Sequence, residues 1–164
     1  MHKAPILCSL VAVFSLGGCA SLPAGAFQSA EARTYPDSRT SIWQRILTTS
    51  ARNSMFVRQA DAANGVIAVD REIAPDAGSI YEASIGSWAD CGARSVLGYA
   101  TRQEVLLNYV VHQEADGRTT VTLNGRFREL RTILPSRPAE WVECKSTGVL
   151  ERDMLEAIYY DRPI

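Results

Sequence analysis

The stretch from Glu104 to Leu130 constrains this chain more than any other. Two runs, Glu104 to Gln113 and Thr119 to Leu130, alternate apolar and polar residues and flank Glu114-Ala115-Asp116-Gly117-Arg118. Alternation with period two marks a half-buried strand, and Asp-Gly in a short link supplies the positive φ that a tight hairpin needs. Pairing position 113 with 119 sets the register. One face then carries Val105, Leu107, Tyr109 and Val111 opposite Phe127, Gly125, Leu123 and Val121. The other carries Glu104 opposite Arg128, Asn108 opposite Asn124 and His112 opposite Thr120. A slip of one residue would expose the whole apolar set, so burial enforces this register. The chain must therefore build a sheet with one buried face and cover that face with something else.

Flanking segments supply the cover. Ser38 to Ser41 offers helix caps, and Ile42, Trp43, Ile46 and Leu47 follow at helical spacing, with Ala51 continuing the face and Asn53 as a stop. Met55-Phe56-Val57 begins a strand, Asp61 to Gly65 turns, and Val66 to Val69 returns. Ile73 to Ser79 reads as a loop, Ile80 to Trp88 as a third strand and Gly92 to Thr101 as a loop. Pro135 and Pro138 break the chain before Trp141-Val142-Glu143-Cys144. A final helix is expected from about Thr147 to Tyr160, with Val149, Leu150, Leu155 and Ile158 as its buried stripe. At 46% hydrophobic and 21% charged residues, the 164-residue chain has material for one core. The expectation is one α+β domain over residues 38–164. It comprises a single antiparallel sheet of about five strands, with an N-terminal and a C-terminal helix packed on one face.

The first residues tell of destination. Met1-His2-Lys3 is a short basic start, and Ala4 to Gly18 carries no charge. This is the layout of a secretory signal, too short to span a bilayer comfortably. It ends in Leu16-Gly17-Gly18-Cys19-Ala20-Ser21, which closely resembles the lipobox of bacterial lipoproteins. The resemblance implies removal of residues 1–18 and acylation of Cys19. It also implies a membrane anchor of two or three chains, since one chain alone holds only marginally. Asp after the Cys commonly retains such proteins in the inner membrane. Here Ala20 stands there, which implies the outer membrane, facing the periplasm. Residues 19–37, small, polar and containing Pro and Gly, read as a lipidated flexible tether.

Processing simplifies the cysteines and the charge. Cys8 leaves with the signal and Cys19 carries lipid, so Cys91 and Cys144 remain as a pair in an oxidising compartment. A disulfide is expected, worth roughly 4 kcal/mol in the chain-entropy model. The alternatives are two buried thiols or a metal pair. A zinc site needs about four ligands, and the mature chain has no CxxC and one His, so no metal or cofactor is expected. Of the 17 basic residues Lys3 is removed, leaving 16 against 18 acidic, a net of −2. That balance gives no footprint for nucleic acid.

A second resemblance covers about 30 residues. Ile42-Trp43, Ile46-Leu47, Phe56-Val57, Ala60-Asp61, Gly65-Val66-Ile67 and Asp70 look like the opening helix and hairpin of the helix-grip domains in the outer-membrane lipoprotein BamC. The resemblance implies a helix-grip-like fold and a small periplasmic module, a partner in envelope assembly. BamC has two such domains where this chain has room for one. Cys91, Cys144 and the long middle segment depart from that pattern.

Candidate chemistry is sparse. His112 is the one mature His, at a strand end, and no Gly-x-Ser-x-Gly elbow accompanies it. Asp61, Asp70, Glu72 and Asp90 are the carboxylates that could converge for sugar cleavage, although Asp61 is better explained as a turn residue and Glu72 and Asp90 as exposed strand ends. Arg126, Arg128 and Arg131 read as a small basic row beside Thr122 and Asn124. Glu104 neutralises Arg128 across the strands. Leu106 and Val110 share that outer face, giving an apolar patch with a charged rim as the candidate binding surface. Trp43, Trp88 and Trp141 read as core or core-edge. The functional expectation is a non-catalytic, membrane-anchored envelope module that binds an envelope protein. A periplasmic lipid or small-ligand carrier is the alternative, and a carboxylate-dependent hydrolase the third reading.

Overall fold

A computed structural model describes residues 30–74, 85–93, 98–133 and 138–160. The expected signal, Cys19, the first part of the expected tether, and residues 80–84 of the expected third strand lie outside them. In chain order the elements are β1 (Ala30–Tyr35), α1 (Arg39–Arg52), β2 (Phe56–Asp61), β3 (Val66–Ile73), β4 (Ala89–Asp90), β5 (Gly98–Gln113), β6 (Thr119–Ile133), β7 (Glu140–Ser146) and α2 (Val149–Tyr160). The sheet runs β2-β3-β5-β6-β7-β4, and β1 also pairs with β6. All of these pairings are antiparallel.

The central hairpin has the expected register. Gln113 faces Thr119 and Val105 faces Phe127, and the whole predicted apolar face is buried. Both helices cover that face. Ile42 and Ile46 of α1 and Leu150, Met154, Leu155 and Ile158 of α2 join Ile67, Val69, Leu107, Leu123 and Phe127 in one core. Each such side chain contributes about 1.5–3 kcal/mol on burial. Met154 takes the place expected for Val149, which is only half-buried. Ser38 caps α1 by accepting from the Ser41 amide, and Asn53 closes it. Two glycines permit close approach. Gly65 has φ +72° and its oxygen accepts from the Val111 amide at 2.7 Å. At Gly125 a Cβ would collide with Glu151 Oε1 and lie 2.8 Å from Phe127 Cε2, so α2 seats directly over the bare backbone. Ser146 Oγ donates to that buried Glu151 carboxylate at 2.6 Å.

The expected architecture needs correcting. Among the described residues the sheet has seven strands, not about five, and the described chain opens with β1 rather than with a helix. β1 falls within the span expected as tether. Its Ala-Glu-Ala-Arg-Thr-Tyr sequence is too short and too small-sided to show a hydrophobic period. What holds it is pairing with β6 from Ala30–Asn124 to Tyr35–Thr119, together with the buried Tyr35, whose hydroxyl donates to Leu155 O at 2.8 Å. Residues 85–88, expected as strand, form a turn before the two-residue β4. β5 begins at Gly98, inside an expected loop, because a bulge between Ala100 and Arg102 lets pairing continue to Ile133. β7 carries few apolar residues, and its inward Cys144 is seen only once Phe127 is placed opposite.

Cys91 and Cys144 form a disulfide across 53 positions, with Cα atoms 4.1 Å apart. It fastens the segment after β4 onto β7. Thr147 reinforces the same junction, its hydroxyl donating to Ser87 O and its amide to Trp88 O.

Candidate functional site

With both helices on the inner face, the even-numbered positions of β5 and β6 look outward. Register places Phe56, Asp70, Leu106 and Arg126 in one row across four strands. The next row is Glu72, Glu104, Arg128 and Glu143. Along these rows every arginine meets a carboxylate. Arg58 pairs with Asp70, Arg102 with Glu72, Arg128 with Glu104 and Arg126 with Glu143. Arg102 and Arg126 grip their partners through two nitrogens each, a planar fork-to-fork match. The pairing lowers the Glu72 carboxyl below its ordinary value, chiefly through its hydrogen bonds to Arg102. The Arg58, Arg102 and Arg126 guanidiniums are raised in return by their bonds to Asp70, Glu72 and Glu143. Between the pairs lies a shallow dish of about 250 Å³, bounded by Arg58, Asp70, Glu104, Leu106, Arg126 and Arg128.

The rest of the outer face is different in kind. Towards the hairpin turn it carries Asn108 opposite Asn124, Val110 opposite Thr122 and His112 opposite Thr120. β1 extends it with Ala30, Ala32 and Thr34. Thr34 and Thr120 share a hydrogen bond at 3.0 Å. This half is almost uncharged, and Val110 is 41% exposed within it.

The six residues of the candidate binding surface lie on the same side of the sheet. Leu106, Arg126 and Arg128 belong to the charged half, and Val110, Thr122 and Asn124 to the neutral half. Arg131 does not belong with them. Strand alternation turns it inward, where it pairs with the buried Glu129 at 2.5 Å and donates to the Cys91, Gly92 and Ala93 carbonyls. It pins the disulfide segment. Trp141 also departs from the core reading. It sits on the outer face at 37% exposure, with the Arg128 guanidinium 4.3 Å above its ring. Glu143, Trp141 and Ala32 could not be assigned to this face from sequence, because neither β7 nor β1 was visible as a strand.

The carboxylates considered for hydrolysis do not converge. Asp61 is a turn residue that accepts from the Asn64 amide and side chain, which lowers its carboxyl. Asp90 accepts from the Gly92 amide on β4, at the end of the sheet order opposite β2. Asp70 and Glu72 share the outer face, but each is committed to an arginine, and the lowered Glu72 carboxyl is the reverse of a general acid. His112 is exposed at its strand end.

No family model and no curated protein matches the chain. Among solved structures it is similar to a DUF4468 family protein from Bacteroides ovatus, at 15% identity over 84% of each chain and a TM-score of 0.35.

Among the described residues no group of three or more His, Cys, Asp or Glu is placed to hold a metal ion, and no helix is long and apolar enough to cross a membrane.

Proposed function

We propose that this chain is a lipid-anchored envelope module without catalytic activity that binds an envelope protein through the outer face of its sheet. One observation carries the reading. Among the described residues, both helices pack on the same side of the sheet, and the other side is a broad surface whose charges are already organised in pairs. Fixed, paired charges favour a partner with the complementary pattern and repel others, with little ordering left to do on contact. The Val110 and Thr122 region beside them supplies neutral contact area. The lipobox at Leu16 to Cys19 and the Cys91–Cys144 disulfide support an oxidising envelope compartment.

The test is a photo-crosslinking amino acid placed at Val110 in cells, with Arg118 in the hairpin turn as the control position. Discrete adducts at Val110 alone are expected. Equal, diffuse labelling from both sites would count against a binding face there. Fatty-acid mass on the mature N-terminus tests the anchor separately.

A further inference from the structure

A second surface lies at the β1–α2 edge, away from the outer face. Tyr159 and Tyr160 close α2, exposed at 42% and 58%, with their rings in edge contact at 4.8 Å. Arg33 of β1 lays its guanidinium 4.6 Å from the Tyr159 ring centroid. Tyr35 packs behind them, 6.2 Å from Tyr159. No carboxylate among the described residues pairs with Arg33, whereas each arginine of the outer face has one.

From this edge we infer that Arg33, Tyr159 and Tyr160 dock the domain onto the phospholipid surface to which Cys19 is anchored. The inference rests on the lipid-anchored reading above. The covalent path permits it. Ala30, the first residue of β1, lies eleven positions after Cys19, so it can stand no further than about 40 Å from the anchor whatever its conformation. β1 then runs towards the patch, and Ala30 to Tyr35 adds at most roughly 17 Å. The other strongly exposed apolar pair, Phe56 and Val57, lies on β2 at the opposite edge, roughly 19 Å across the intervening strands.

The chemistry also fits. Tyrosine is enriched at membrane–water interfaces because its ring is apolar and its hydroxyl is not. An arginine without a carboxylate partner offers a two-pronged match to a phosphodiester. This orientation sets the sheet on edge against the membrane and leaves the outer face open sideways to a periplasmic partner.

The test uses the full lipidated protein in vesicles of phosphatidylethanolamine and phosphatidylglycerol. Hydroxyl-radical labelling of Tyr159 and Tyr160 is compared with labelling of Phe56 in the same sample. The tyrosines should be shielded relative to Phe56. Arg33→Gln should raise their labelling about fivefold, the factor expected for losing one arginine at an anionic surface. An equal rise in detergent micelles would reflect only the uncovered Tyr159 ring and would overturn the inference. So would shielding that appears only when envelope proteins are added, which would make the occupant a protein. Fatty-acid mass on the same sample separates the two readings. A lipidated protein with unshielded tyrosines defeats the docking alone, and an unlipidated one defeats the anchor.

Discussion

Val105, Leu107, Tyr109 and Val111 alternate along β5 with Glu104, Leu106, Asn108 and Val110, yet the two sets meet different surroundings. The first set is sealed beneath α1 and α2, and burial raises the Tyr109 hydroxyl far above its ordinary value. The second set meets solvent, and its charges are settled by neighbours one strand away. The same backbone therefore bears a face that holds the fold and a face that can change without unfolding it. Packing on the inner face is cooperative, so each loss leaves a void. Pairing on the outer face is local and screened, so each exposed pair contributes little to stability. A binding surface is best placed where sequence can vary at small cost to the fold.

The contrast yields a graded set of expectations. Phe127→Ala empties the centre of the inner face and should cost about 3–5 kcal/mol. The urea midpoint reads this out, and a loss below about 1 kcal/mol would mean that the inner face is not one packed core. Replacing Cys91 and Cys144 together by Ala should cost about 2–4 kcal/mol. It should also raise hydrogen exchange in residues 85–93, while β5 and β6 keep their protection.

Glu72 gives a smaller effect with a definite pH window. Its carboxyl titrates lower in the folded chain than its unfolded value of 4.5, so the unfolded chain binds the proton more readily. The stabilisation is complete above pH 4.5 and is lost as pH falls through the lower folded value. Glu72→Gln should therefore flatten the acid side of the stability curve and leave its neutral side nearly level. Denaturation midpoints at pH 6, 4 and 3 would show this, and an unchanged acid slope would remove the Arg102 pair from the account. Smallest of all, Val110→Ser should shift stability by no more than about 0.5 kcal/mol while weakening partner crosslinks. A large loss of stability there would erase the distinction between the faces.

Much of this was legible in the chain, for identifiable reasons. Asp116-Gly117 and the period-two runs beside it fix the central hairpin, because one register alone buries Val105 to Val111 against Val121 to Phe127. Ser38 and Asn53 bound α1 because capping is a local hydrogen-bond requirement. Leu106, Val110, Thr122, Asn124, Arg126 and Arg128 were assigned one face by the same alternation. Arg131 was misplaced by grouping residues on charge instead of parity.

What the sequence determined by itself was everything governed by near neighbours along the chain: periodicity, caps and the hairpin turn. What only the tertiary structure decided was which weak segments become strands. β1 and β7 both dock along the same side of β6, at residues 119–124 and 127–131. Neither carries a hydrophobic period of its own, and each is ordered by backbone hydrogen bonds to a strand far away in sequence. Such bonds are available to almost any side chains. For that reason a seven-stranded sheet can stand behind a pattern that spells out about five.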